Sequence, residues 1–220
     1  MAKAQAKAKR VAASNEKLLE VDGAAWSGSS AIGIDLVPAP VTMAANVSGQ
    51  MALSQNHGKV RRAEARLAHN GETLSVRLSW RDSDKDDQIA DLDRFADGAA
   101  VMFPLLDDAN PLTMGDERKP VNAWLWKADR EEPFDVIARG YATSQRRPAS
   151  SSQLASNALH RDGQWHVVFQ RPLELEGGEF ARFAPGGLAR IAFAIWEGSN
   201  AERAGQKAIS GAFLAVELEA

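Results

Sequence analysis

Residues 62–81 read RAEARLAHNGETLSVRLSWR, two alternating runs on either side of an Asn-Gly pair. Leu74, Val76, Leu78 and Trp80 fall on one face and Ser75, Arg77, Ser79 and Arg81 on the other, the period of two expected of a half-buried strand. Asn70-Gly71 is the dipeptide that favours a type I′ turn, so the stretch predicts an antiparallel hairpin. One face of that hairpin must be buried by the rest of the chain.

The remaining sequence supplies more of the same. Short apolar or alternating segments at 32–37, 99–105, 121–128, 134–142, 164–173, 188–198 and 212–219 also read as strands, separated by turn residues. No long amphipathic helix competes with them. About nine such strands favour an antiparallel β-sandwich over an α/β fold, which would need helical crossovers of about a dozen residues. The expected fold class is therefore all-β, with long connections at 83–98, 106–120, 144–163 and 198–210. Loops of that length on a rigid scaffold are where binding sites usually sit. Residues 1–24, rich in Ala and Lys and without a sustained apolar face, read as a frayed helix or flexible N-terminal arm. Residues 25–220 then form the sandwich domain.

Composition bounds the function. The 220 residues carry a net charge of −3 and a dispersed basic complement, which argues against a nucleic-acid partner. No stretch approaches the roughly 18 apolar residues of a membrane-spanning helix. With no cysteine, the chain can form no disulfide, Cys-ligated zinc or iron–sulfur site, and no thioether-attached haem. The basic start is not followed by the apolar run of a signal peptide.

Several constellations invite a chemical reading. The run Asp82, Asp84, Asp86, Asp87, Asp91 and Asp93 suggests a hard cation, but it lacks EF-hand spacing and also suits a solvated loop. The histidines at 57, 69, 160 and 166 make no paired metal motif and read as surface or turn residues. No G-x-S-x-G elbow supports a hydrolase, and the Gly-rich pieces at 177–178 and 186–187 lack the strand-to-helix setting of a phosphate loop. Met114 is less easily placed. It lies in the polar loop PLTMGDERKP, where an unbranched apolar side chain gains nothing unless it turns inward. Packing alone favours a loop-anchoring role, and Lys207, in ERAGQKAIS, reads as a solvated lysine.

Three blocks, FADGAAVMFP, MGDERKPVNAWLWKAD and AIWEGSNAERAGQKAIS, together resemble the haem b-binding gamma subunits of type II enzymes in the dimethyl sulfoxide reductase family. The resemblance runs over roughly residues 25–219. It implies a β-sandwich holding one noncovalent haem b, with Met114 and Lys207 as axial ligands of the iron. It further implies a molybdenum-containing alpha subunit and an iron–sulfur beta subunit as partners, in a chlorate reductase-like periplasmic complex. Electrons would pass between that complex and a soluble c-type cytochrome or similar carrier. Such a chain is a wire and has no catalytic residues of its own.

The chemistry sets conditions on that assignment. An amine ligates iron only when neutral, and deprotonating an ordinary lysine of pKa about 10.4 at pH 7 costs roughly 4.6 kcal/mol. Burial can supply a shift of that size. Trp124 and Trp126 share one side of a strand, where they either wall the haem or fill the inter-sheet core. Met102 and Phe103 point to opposite faces, so only one of them can join Ala100 in a cavity. Arg118, Lys119 and Arg203 are equal candidates for the haem propionates. The rival reading is a noncatalytic carbohydrate-binding sandwich whose exposed tryptophans stack on sugar rings.

Overall fold

A computed structural model of the chain describes residues 4–44, 48–89 and 94–220. In chain order the strands are β1 (Ala6–Arg10), β2 (Ile32–Asp35), β3 (Val37–Pro38), β4 (Arg62–His69), β5 (Thr73–Arg81), β6 (Gly98–Pro104) and β7 (Val121–Lys127). They continue as β8 (Phe134–Ala138), β9 (Gln145–Pro148), β10 (Ala155–Arg161), β11 (Gln164–Pro172), β12 (Leu188–Trp196), β13 (Ala208–Ile209) and β14 (Leu214–Leu218). Two short helices, α1 (Asn15–Leu19) and α2 (Gly49–Ala52), add little to the sheet.

The hydrogen-bonded path runs β10-β11-β5-β4-β1-β14-β12-β6-β7-β8-β9, and it folds back on itself as two layers. Every pairing is antiparallel except those of β1. Its first residues pair in parallel with Val216–Leu218 of β14 and its last with Ala68–His69 of β4, so β1 is the seam between layers. The all-β sandwich is the expected architecture. Within the segment expected as an N-terminal arm, Ala8 is fully buried in the seam, and Leu18 and Val21 pack with Trp26 on the outer side of β4 and β11. Lys and Arg alternate with Ala along β1, so its buried side carries only alanine, too weak an apolar signal to read as a strand.

Between the layers, Leu74, Val76, Leu78 and Trp80 of β5 and Trp165, Val167 and Phe169 of β11 meet Val101 and Phe103 of β6, Trp124 and Trp126 of β7 and Phe193 of β12. Trp126 stacks edge-on against Trp165 at 4.9 Å between ring centroids, and Trp80 lies 6.3 Å from Trp126. The outer face of the second layer is apolar too, with Ala100, Ala123, Leu125 and Val136 forming a separate cluster beneath the loops. β7 is consequently buried on both faces, which explains why it reads VNAWLWK rather than alternating.

Two turns differ from expectation. At Asn70-Gly71 only Gly71 takes a positive φ (+97°), and the Asn70 side chain closes the turn by accepting from the backbone N–H groups of Glu72 (3.1 Å) and Thr73 (2.9 Å). The two-residue turn with both φ positive occurs instead at Asp162-Gly163, between β10 and β11. The span 144–163, expected to be a loop, thus holds β9 and β10. Both are outermost in the sheet path, where one neighbour suffices and alternation is not demanded.

Candidate functional site

The loop between β6 and β7 holds Met114 in a conformation rare for a residue with a side chain. Its φ is +61°, followed by Gly115 at +78°. The Gly115 N–H donates to the Asn110 carbonyl at 2.8 Å, and a Cβ at Gly115 would collide with the carbonyl of Lys119. Asp116 accepts from the N–H groups of Arg118 and Lys119, closing the next turn. Left-handed backbone at a non-glycine residue costs of order 1–3 kcal/mol and persists only where the surroundings enforce it. The loop therefore spends folding energy to aim the methionine.

A second loop braces the first. Gly140, between β8 and β9, donates to the Met114 carbonyl at 3.1 Å, and the Tyr141 hydroxyl donates to the Leu112 carbonyl at 2.9 Å. From the far side, Lys207 enters at the head of β13, which is paired with β12 on one edge and β3 on the other. The Lys207 carbonyl accepts from Ala39 N–H at 2.9 Å. Its side chain is 6% exposed and its Nζ lies 3.4 Å from Met114 Sδ.

Both side chains end in one cavity of about 710 Å³, a volume typical of small-molecule sites. Its floor is the outer face of the second layer: Ala100, Ala123, Leu125, Val136 and Trp196. Alanines at two of these positions leave the space open. The rim comes from the connections around Tyr141, Ala142, Ser144, Arg146 and Arg203 to Gly205. Trp196 is fixed by donating to the Ala204 carbonyl at 3.0 Å, and its ring lies 4.9 Å from Lys207 Nζ.

Burial moves Lys207 toward its neutral form. Burial alone pushes the Lys207 ammonium down to about 8. At pH 7 the free amine is therefore much easier to reach than for an exposed lysine, where it costs roughly 4.6 kcal/mol. A neutral amine nitrogen and a thioether sulfur, facing one another in an apolar cavity, suit a soft or borderline transition metal. At 3.4 Å the two donors touch; with bonds of about 2.0–2.3 Å they must part by roughly 1 Å to admit a metal, a change within reach of two unbranched side chains.

Other candidates lie elsewhere. Trp124 and Trp126 point into the inter-sheet core, as do Val101 and Phe103, whereas Met102 joins the outer cluster beside Ala100. Of the three propionate candidates only Arg203 lines the cavity; Arg118 is exposed on another cleft and Lys119 pairs with Asp108. Arg146, Tyr141 and Trp196 were missed. The pair Arg146-Arg147 ahead of a proline gave a charge signal, but nothing local tied it to Met114. His57 and His69 are buried rather than exposed, and none of the four histidines reaches the cavity. Five of the six tryptophans are at most 5% exposed, and the sixth, Trp196, is half-buried and lines the cavity.

In the acidic loop, Asp87 pairs with Lys85 and the Asp86 N–H donates to Asp97, while Asp91 and Asp93 lie outside the described residues. Among the described residues no cluster of acids or histidines has the geometry of a metal site. Asp82 is 3% exposed, and one carboxylate oxygen has no partner. Burial, with Asp97 and Glu197 nearby, pushes its pKa up to about 7. Between pH about 4 and 7 the native state keeps a proton that the unfolded chain releases, so stability falls as pH rises through that window. Asp82→Asn should therefore stabilise the protein at pH 8, by about 1–2 kcal/mol after allowance for loop solvation, and leave it unchanged at pH 4. Urea unfolding at the two pH values checks this; an equal effect at both would refute it.

Comparison with known proteins adds the following. A family model described as ethylbenzene dehydrogenase matches residues 23–153 and 147–208. A protein of Haloferax mediterranei named "Putative respiratory nitrate reductase heme subunit ORF7" is 33% identical over 187 residues, covering 84% of this chain and 63% of its own length. Chlorate reductase subunit gamma of Ideonella dechloratans is 38% identical over 138 residues, covering 62% of this chain and 56% of that protein. Dimethylsulfide dehydrogenase subunit gamma of Rhodovulum sulfidophilum is 38% identical over 149 residues, covering 66% and 56%. The chain thus spans 56–63% of the length of these relatives. Among solved structures, a carbohydrate-binding module of family 9 from Caldicellulosiruptor kristjanssonii, in complex with glucose, superposes with a TM-score of 0.51 at 10% identity. That match covers 97% of this chain and 94% of the module, and at such identity it speaks to the fold alone.

Proposed function

The chain belongs to the ethylbenzene dehydrogenase family, and on that premise we propose that it is an electron-transfer subunit holding one haem b, with Met114 and Lys207 as axial ligands. The observation that carries this reading is the thioether and amine 3.4 Å apart in a single apolar cavity, 93 residues apart in sequence. The haem and gamma subunits among its relatives support it. Bound there, the haem iron would supply one-electron redox chemistry. Met114 and Lys207 would both be taken up in holding the iron, which suits an electron relay and not a catalyst.

The residues divide the work. Met114 gives a weak, soft donor that favours the reduced metal, and Lys207 gives a nitrogen whose proton burial has already loosened. The alanine floor and Trp196 exclude water, while Arg146 and Arg203 at the rim are suited to carboxylates. Without cysteine the cofactor is held noncovalently. The partners we assign are a molybdenum-containing alpha subunit and an iron–sulfur beta subunit of a periplasmic, chlorate reductase-like complex. A soluble c-type cytochrome or similar protein serves as the carrier.

Purified protein mixed with iron protoporphyrin IX should turn red, show a Soret band with sharp low-spin bands on reduction, and release all its haem into acidified butanone. A colourless protein retained on a polysaccharide column would instead favour the carbohydrate-binding reading, which the burial of the tryptophans disfavours.

A further inference from the structure

Lys207 is reached through a connection, residues 197–206, that has no regular strand of its own. Two alanines in it, Ala201 and Ala204, have φ of +54° and +49°. Side-chain-bearing residues keep such a conformation only where other contacts enforce it. Between them sits Glu202, which is 1% exposed. One of its carboxylate oxygens accepts from Lys59 N–H at 2.8 Å and from Asn200 Nδ2 at 2.9 Å. The other accepts from Glu197 N–H at 3.2 Å. A single buried carboxylate thus ties the start of the connection to a segment 143 residues away. Asp97 holds the neighbouring Gly198 N–H at 2.8 Å, and Asn200 donates to the Asn56 carbonyl at 2.6 Å.

Glu202 does not line the cavity. Two of its three donors, Lys59 and Glu197, are backbone N–H groups of fixed direction, so moving the carboxylate moves the loop, and with it the point from which Lys207 enters. We infer that Glu202 is the positioning residue that fixes the reach of Lys207 toward the iron, an inference that rests on the reading of Lys207 as a ligand. Groups that hydrogen-bond a metal ligand directly are commonly worth about 10- to 100-fold in metal affinity; Glu202 acts through the backbone of the connection, so the lower end of that range, about tenfold, applies.

The test compares the haem-loaded full chain with Glu202→Ala, Glu202→Asp, Glu202→Gln and Lys207→Ala at neutral pH. It reads the visible spectrum and the rate of haem transfer to excess apomyoglobin. Glu202→Ala should show part of the spectral change seen in Lys207→Ala and lose haem at least about tenfold faster than the parent. Glu202→Asp, which withdraws the carboxylate by one methylene, should change in the same direction. Glu202→Gln keeps an oxygen for Lys59 and Asn200 but sets its amide nitrogen, a donor, against the Glu197 N–H, so its spectrum and haem loss should fall between those of the parent and Glu202→Ala. If Lys207→Ala alters the spectrum while folded Glu202→Ala and Glu202→Asp keep the parent spectrum and rate, this inference fails and the ligand assignment stands. A parent-like Lys207→Ala spectrum removes the assignment itself. Should Glu202→Ala not fold, Glu202→Asp decides on the same criteria.

Discussion

Lys207→Leu should make the protein more stable and at the same time unable to hold haem with its native spectrum. In the protein without haem, a lysine whose pKa is pushed down to about 8 carries a penalty of about 2.5 pH units relative to the unfolded chain. That is about 3 kcal/mol at pH 7, an upper figure because leucine must also fill the space of the longer stem. The sign follows from proton counting. Between pH about 8 and 10.5 the unfolded chain binds a proton that the native state has released, so native stability rises with pH across that window and the penalty is whole below it. Leucine removes the titrating group, so its advantage should be greatest at pH 7 and gone near pH 11. Denaturant unfolding of the haem-free proteins at pH 7 and pH 11 measures it, and spectra after haem addition measure the loss of ligation. A destabilised Lys207→Leu with an unchanged haem spectrum would mean that the lysine is a packing residue. Opposite signs on stability and binding are what a site built for a ligand should show.

Trp124→Ala should cost about 3–5 kcal/mol of stability, a large share of the 5–15 kcal/mol of a typical domain. Trp124 is fully buried, its ring 4.6 Å from Phe103 and 6.1 Å from Phe183, with the Arg171 guanidinium 5.1 Å above it. Truncation opens a cavity between the layers and removes an aromatic face from a buried cation. Because the ring points away from Met114 and Lys207, the folded fraction should keep the parent haem spectrum. Urea midpoints and visible spectra on the same samples test both halves. A shifted haem spectrum with an unchanged midpoint would return Trp124 to the pocket wall.

The tryptophans also show where sequence reading ran short. Alternation states that a strand has two faces, but it cannot assign a face to a layer when both are apolar. In β7 the inner face meets the opposite sheet and the outer face meets the cavity, so Trp124 and Trp126 on one side and Ala123 and Leu125 on the other give the same signal. β1, β9 and β13 went unread for a related reason. They are short, and their hydrogen-bonding partners, not their own side chains, make them strands. Arg146, in β9, and Tyr141, the single tyrosine of the chain, are distinctive residues, but nothing near them in the sequence ties them to Met114.

By itself the sequence determined the sandwich. A period of two in segment after segment leaves no amphipathic helix to build another fold, and the absence of cysteine removes thioether attachment of haem and thiolate ligands. It also marked Met114 as an apolar residue without a local reason, whereas its pairing with Lys207 came only from what the family resemblance implies. Only the tertiary structure decided that the pair meets. Closing 93 residues to 3.4 Å depends on β13 pairing with β12 and β3, on the left-handed turn at Met114, and on a cavity floor contributed by four strands. Those contacts are long-range. Burial, which brings the pKa of Lys207 down to about 8, belongs to the whole fold and to no segment of the chain.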